Sequence, residues 1–316
     1  MTGGNGHTSL LSFTQAPQRV VSLVPSMTES LFDLGAGEAV VGVTEFCRPP
    51  ATELSRLAVV GGTKSVDPQA VIDLKPELVL ANQEENTREV VEALEAAGLK
   101  VWVTFPRSVE EAIQVLWAVV RVFRLTQAQA KVQTLELTMA WTARAAAAEA
   151  AVPTFVPIWE GEAGGAGRWW MTINRGTYVH DLLAICGAGN IFADRDRRYP
   201  LAADVEGAPS EEQPGRDTRY PRVTRQEVLE RKPELILLPS EPYAFDETDV
   251  LRMAETLRGT PAADHGRIQT VDGSLLTWHG TRLGRALTEL PGLIRPAQDR
   301  SAGDDPASRS GAEPLV

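Results

Sequence analysis

Lys75-Pro76-Glu77-Leu78-Val79-Leu80 returns almost letter for letter as Lys232-Pro233-Glu234-Leu235-Ile236-Leu237. The first copy lies in AVIDLKPELVLANQEEN, Ala70 to Asn86, and the second in EVLERKPELILLPSEPY, Glu227 to Tyr243. Each copy runs from an amphipathic helical stretch through a proline-marked break into an apolar strand and a glutamate-bearing loop. That order is half of a β-α-β unit. Two such units imply two lobes of similar construction, and clefts between lobes are where small ligands bind. Lys-Pro-Glu-Leu is also a common way to enter a buried strand, so the reading rests on what flanks the two copies.

Working outward, Arg19 to Val24 is a buried-strand pattern, followed by a helix from Met27 to Leu34 that Gly35 closes. Ser26 and Glu29 have capping-box spacing at its start. Ala39 to Val43 is a second strand, and Val59-Val60 precedes Gly61-Gly62-Thr63-Lys64. Asp67 and Pro68 suit the N-cap and first position of another helix. Leu78 to Ala81 and Val101 to Thr104 complete a set of short strands alternating with helices, which predicts a doubly wound parallel sheet.

From Ser108 to Ala150 there is neither proline nor glycine, and good helix formers dominate. This predicts a backbone helix of about 40 residues and about 60 Å joining the lobes. A helical hairpin turning near Leu125-Thr126-Gln127 is the alternative. Beyond it, Thr154 to Trp159 reads as a strand and Gly161 to Gly167 as a flexible loop. Tyr178 to Ile185 reads as a helix, capped by Gly187-Ala188-Gly189-Asn190, and Arg267 to Val271 as a last strand. Arg198-Tyr199-Pro200 and Arg219-Tyr220-Pro221 bracket a polar stretch like the ends of an inserted surface loop. The expected organisation is a flexible start (1–17), a first α/β lobe (18–107), the backbone helix (108–150), a second α/β lobe (151–295, insert 201–218) and a disordered tail (296–316).

The 316 residues suffice for two domains, and 43% hydrophobic content supplies their cores. A net charge of −11 argues against nucleic acid as a partner. No apolar run approaches the roughly 18 residues of a membrane span. The apolar run Leu10 to Phe13 is too short for a signal sequence, so the expected location is cytoplasmic; a translation start elsewhere would make it periplasmic or cell-surface. Cys47 and Cys186 lack zinc-type spacing. With no Gly-x-Ser-x-Gly, P-loop or His-Glu-x-x-His, the expectation is a monomeric binding protein without a catalytic cofactor rather than an enzyme.

In open parallel sheets, ligands bind beyond the carboxyl ends of the strands. That rule selects Ser26, Glu45, Phe46, Arg48, Lys64, Asn82, Glu84 and Glu85 in the first lobe. In the second it selects Trp159, Trp169, Trp170, Glu241, Tyr243, Trp278 and Arg282. Four of the seven tryptophans fall on these segments, and aromatic faces hold flat macrocycles and catecholate chelates. Cys47 as thiolate and His279 as imidazole are the candidate metal ligands. An inert cysteine and a hydrogen-bonding histidine remain the alternatives.

Several segments together resemble the helical-backbone metal receptor superfamily, the class III substrate-binding proteins of cobalamin, haem and ferric-siderophore importers. They are RVVSLVPSMTESLFDLG (19–35), VVGVTEFCRPP (40–50), VVGGTKSVD (59–67), LKPELVLANQEEN (74–86), VWVTFPRSVEEA (101–112), WWMTINRGTYVHDLLAICGAGNIFAD (169–194), RKPELILLPSEPYAF (231–245) and VDGSLLTWHGTR (271–282). Within that superfamily the chain is most similar to cobalamin-binding-like members that lack signal peptides. The resemblance implies two α/β lobes on a backbone helix and a corrinoid, haem or ferric chelate as ligand. It also implies the permease of an importer of the ATP-binding-cassette (ABC) type as a possible partner, with a cytoplasmic carrier or sensor as the other role. In cobalamin receptors one glutamate per lobe docks the transporter; here Arg88 and Gln226 stand at those positions, beside Glu89 and Glu227. A metal-dependent enzyme or a partner-binding scaffold on the same fold are the alternatives in function.

Overall fold

A computed structural model describes residues 13–165, 167–211 and 214–296. Most of the expected flexible start and nearly all of the expected tail lie outside the described residues. Among the described residues the first lobe contains β1 (Val20–Ser22), α1 (Pro25–Leu34), β2 (Val40–Val43), β3 (Ala58–Val59), α2 (Pro68–Asp73), β4 (Leu78–Asn82), α3 (Arg88–Ala96) and β5 (Val101–Thr104). The strands form one parallel sheet in the order β3-β2-β1-β4-β5. β1 and β4 are fully buried, as central strands of a doubly covered sheet must be.

Two further helices, α4 (Val109–Val122) and α5 (Gln129–Ala146), lead into the second lobe. That lobe holds β6 (Val152–Phe155), β7 (Trp159–Ala163), β8 (Gly167–Met171), α6 (Tyr178–Ile185), β9 (Ala188–Asn190), α7 (Leu201–Val205), β10 (Arg222–Thr224), α8 (Arg225–Arg231), β11 (Leu235–Pro239), α9 (Glu247–Thr256), α10 (Pro261–Asp264), β12 (Ile268–Val271), α11 (Ser274–Thr277) and α12 (Leu283–Ile294). Its parallel sheet runs β9-β6-β11-β12. This order repeats β2-β1-β4-β5 of the first lobe, strand for strand.

The Lys-Pro-Glu-Leu copies do the same work in both sheets. Lys75 and Lys232 end α2 and α8 in the left-handed region, with φ of 49° and 47°. The following proline forbids further helix, and Leu78 and Leu235 open the central strands β4 and β11. Glu77 N–H and Glu234 N–H donate to the carbonyls of Arg19 and Pro153, at the entrances of β1 and β6.

One unbroken helix over 108–150 is not what forms. Ser108 caps α4, its hydroxyl accepting from Glu111 N–H, but the chain reverses between Phe123 and Gln129, and the hairpin alternative is the correct one. Arg124 takes φ of 56°, and Leu125 N–H returns to the Val120 carbonyl. A left-handed residue after the helix end is the usual stop, and arginine here does what glycine normally does. The β-branched run Val119, Val120 and Val122 weakens helix continuation, while Val120, Phe123 and Ala128 gain burial by turning. Trp117 Nε1 then donates to Glu136 Oε1 at 2.8 Å, closing the hairpin. The helix that joins the lobes is α5, 18 residues long. It packs on α4 from one side and on α6 and α12 from the other.

The second lobe also contains a small antiparallel sheet, β10-β8-β7, that the sequence reading did not foresee. The glycine-rich stretch 161–167 is mostly strand: β7 runs to Ala163 and β8 restarts at Gly167, whose φ is 67°. Gly187 (φ 93°) ends α6 as expected, but Ala188–Asn190 is strand β9. The insert 201–218 is more than a surface loop, because its opening α7 buries Asp204 completely. Asp204 accepts from Arg195 Nη1 at 3.1 Å and Arg222 Nε at 2.8 Å, and Arg195 also pairs with Glu227. A buried carboxylate needs such partners, and they tie the insert to β10.

The core runs through both lobes. Val24, Met27 and Leu116 of the first lobe share one apolar cluster with Ile158, Leu276 and Leu287 of the second. Separate clusters fill the outer faces, around Val71 and Leu94 in the first lobe and around Phe155, Trp170 and Phe192 in the second.

Candidate functional site

The carboxyl ends of the two parallel sheets face each other, and six sets of hydrogen bonds cross between them. Nearest the shared core, Thr281 N–H donates to Ser30 Oγ at 3.1 Å and Thr281 Oγ1 to Asp33 Oδ2 at 2.7 Å. Arg282 grips both oxygens of Glu29, with Nε at 3.1 and 2.9 Å. Asp181 of α6 accepts from Val109 N–H at 2.7 Å, supplying an anion to the N-terminus of α4. Deeper in the cleft, Asn82 meets His279. At the solvent edge, Glu84 takes Arg219 Nη1 at 2.7 Å and the Tyr220 hydroxyl.

This geometry sorts the expected site residues into two groups. Six are structural. Ser26 is buried in the first turn of α1, with Gly280 of the other lobe against its carbonyl. It caps nothing: the N-cap is Val24, helix α1 begins two residues earlier than the Ser26/Glu29 spacing implied, and Glu29 is used by Arg282 instead. Trp170 is completely buried, edge-on to Phe155, because strand alternation turns it to the inner face of β8. Trp278 lies buried beneath the Arg282 guanidinium, 4.9 Å from the ring centre, and Arg282 is spent on Glu29.

Neither candidate metal ligand presents a free donor to the cleft. Cys47 is buried; Thr28 Oγ1 donates to its sulfur at 3.1 Å and Thr44 Oγ1 lies at 3.2 Å. Burial pushes its thiol up, away from the thiolate a metal needs. His279 Nε2 lies 3.2 Å from Asn82 Nδ2. Asn82 Oδ1 accepts from Glu84 N–H, which fixes the amide so that Nδ2 faces the ring as donor. His279 is thereby neutral with its proton on Nδ1, which has no partner among the described residues. Burial lowers its pKa to about 4.

The others remain available. In the first lobe Glu45, Phe46 and Arg48 are exposed, Phe46 to 53%, on the loop after β2. Gly62 holds this loop close: a Cβ there would sit 2.7 Å from Glu45 Oε1. Exposed Lys64 donates to the Glu84 carbonyl. Glu85 is half-buried, and burial raises its carboxyl pKa, with Glu241 of the opposite lobe adding like-charge repulsion and Lys64 opposing it. In the second lobe Trp159 is 46% exposed and edge-on to Tyr243 at 5.5 Å. Trp169 lies on the same face of the small sheet, flat against Gly161, where a Cβ would meet its ring at 2.4 Å. Tyr243 donates to Glu160 at 3.1 Å, and Glu241 accepts from Thr277 at 2.9 Å. The cleft edge thus offers aromatic faces from both lobes and several carboxylates.

A family model for periplasmic binding proteins matches residues 20–275. The chain belongs to this family. Among its relatives, the vitamin B12-binding protein of Photorhabdus laumondii is 28% identical over 230 residues, covering 72% of each chain. That of Pectobacterium atrosepticum is 26% identical over 251 residues, covering 73% of this chain and 76% of the relative. Two solved structures share the fold: the periplasmic vitamin B12-binding protein of Vibrio cholerae (TM-score 0.68, 18% identity, 90% of this chain and 99% of the other) and the periplasmic haem-binding protein of Roseiflexus sp. RS-1 (TM-score 0.66, 22% identity, 88% and 97%). This member of the family therefore carries the fold of a class III substrate-binding protein. Among its described residues no helix is long and apolar enough to cross a membrane.

Sequence reasoning missed Arg219, Tyr220 and Phe105 at the cleft edge. Arg219-Tyr220-Pro221 stood out only as a bracket to the insert, because nothing in the pattern announced the three-residue strand β10 that places it.

Proposed function

We propose that this protein binds a corrinoid of the cobalamin type between its lobes and hands it to an importer of the ABC type. The observation that carries the reading is that Cys47 and His279 are buried and committed to protein partners, so that neither offers a free ligating atom to a chelate in the cleft. A chelate held here without those donors is held by enclosure and hydrogen bonds. A corrinoid suits this, since its cobalt is already coordinated by the ring and its rim carries amides. Phe46, Trp159 and Trp169 supply apolar faces, and Glu45, Glu85 and Glu241 supply acceptors for amide N–H groups. The names of the relatives, vitamin B12-binding proteins, support the same class.

The cross-lobe bonds on Thr281 and Arg282 argue for a small opening rather than a wide hinge motion, since they anchor the two lobes beside the shared core. The experiment is a fluorescence titration with cobalamin, cobinamide, haem and ferric siderophores. Trp159 and Trp169 should be quenched saturably, one ligand per chain, by the corrinoids. Saturable quenching by haem or a siderophore alone would replace the corrinoid with that chelate. No saturable quenching by any of them would favour an enzyme or a partner-binding scaffold.

A further inference from the structure

At the solvent edge of the cleft, Arg219 sits on an aromatic platform built from both lobes. Its guanidinium carbon lies 4.7 Å from the centre of the Phe105 ring and 5.1 Å from that of Tyr220. Asp217 holds its Nε and Nη2, at 2.9 and 2.6 Å, and leaves Nη1 facing the other lobe. There Glu84 Oε1 accepts both from Arg219 Nη1, at 2.7 Å, and from the Tyr220 hydroxyl. Two donors converging on one carboxylate oxygen, over a stacked and oriented guanidinium, form a receptor for an anionic oxygen. Glu84 is only the current occupant. It stands on the loop after β4, and its side chain is 35% exposed against 17% for Arg219.

We propose that Arg219 and Tyr220 are the seat for a peripheral anionic group of the bound chelate, a phosphodiester or a carboxylate, which displaces Glu84 as it docks. The proposal rests on the reading of the cleft as a chelate site. Glu84 then serves as an internal competitor. It closes the cleft edge, keeps Arg219 oriented, and penalises any ligand that lacks an anion to replace it. Displacement also frees Glu84 to turn toward Lys64, which already donates to its carbonyl.

The two sources of anion separate cleanly. Cobalamin carries one phosphodiester, cobinamide lacks it, and haem carries two carboxylates. Affinities of the three for the wild type, Arg219→Gln, Arg219→Lys and Glu84→Gln decide the matter, with each variant's melting curve confirming that it folds. A charge-assisted hydrogen bond lost from a partly buried site corresponds to at least about tenfold in affinity. Arg219→Gln should weaken the anion-bearing chelate that binds by that factor and should not weaken cobinamide. Arg219→Lys should recover part of the loss. Glu84→Gln should shift the ratio the other way, toward the anion-bearing ligand. An equal effect on cobalamin, cobinamide and haem would overturn the seat while leaving the cleft standing. A wild-type protein that binds none of the three would overturn the cleft reading, and this inference with it.

Discussion

Asn82 Nδ2 and His279 Nε2 lie 3.2 Å apart across the boundary between the lobes, one at the end of β4 and the other just after α11. The contact is buried, and Tyr178 stands edge-on to the imidazole with ring centres 6.3 Å apart. It works only with a neutral ring, because a protonated Nε2 would face the amide donor of Asn82. Burial holds the folded-state pKa at about 4, below the usual 6.5 of an exposed histidine. The unfolded chain therefore takes up the proton first as pH falls. Stability from this residue is whole above pH 6.5, erodes between 6.5 and 4, and is lost below. The total is on the order of 3 kcal/mol. Urea unfolding at pH 7 and pH 4.5 should show the loss, and His279→Gln should make the two pH values more alike.

Arg282 binds both oxygens of Glu29 from the other lobe while covering Trp278. Replacing it by alanine leaves a partly buried carboxylate unpaired and uncovers an indole. The pair keeps some solvent, with side chains 15% and 22% exposed, so the cost is about 1–3 kcal/mol rather than that of a fully buried pair. Arg282→Lys should recover little, since an ammonium cannot reproduce the fork. Denaturant midpoints check this. A chelate affinity that collapses in Arg282→Ala without any loss of stability would return this residue to the binding surface.

Both cysteines are buried, and burial raises both thiols, Cys186 to about 12. At pH 8 neither holds appreciable thiolate. A disulfide-exchange reagent such as Ellman's should label neither in the native protein and both once it is unfolded. Cys47→Ala should leave chelate affinity within about twofold, since its sulfur is engaged by Thr28 and Thr44 inside the first lobe. Rapid native labelling of Cys47 would reopen its role as a metal ligand.

What the sequence disclosed follows from how local each signal is. The Lys-Pro-Glu-Leu copies carried the fold because both the helix stop and the buried strand are written within six residues. The Asp67 cap formed as read for the same reason. The turn after Arg124 was legible only as an alternative because its driving force is burial of Phe123 and Ala128 against residues far away in the chain. The partners of Asp204, Glu29 and Glu84 were likewise out of reach, since each is supplied from a distant segment. The strand-end rule found the cleft but could not tell which loop residues turn inward. At Trp169-Trp170 that depends on the register of a small sheet the pattern never announced.

Trp170 and Trp159 give the sharpest separation of binding from folding. Trp170 is fully buried between Phe155 and the rest of the second-lobe core, so Trp170→Ala should cost about 3–5 kcal/mol. Trp159 is 46% exposed on the opposite face of the same sheet and touches Tyr243 at its edge. Trp159→Ala removes little buried area and should cost under about 1 kcal/mol. Its effect should appear instead in the chelate titration, as a weakening of about tenfold from a lost aromatic face. Melting temperature and affinity measured on both variants give four values. Trp170→Ala should move stability, Trp159→Ala should move affinity, and a Trp159→Ala protein that binds as tightly as the wild type would place the chelate away from the small sheet.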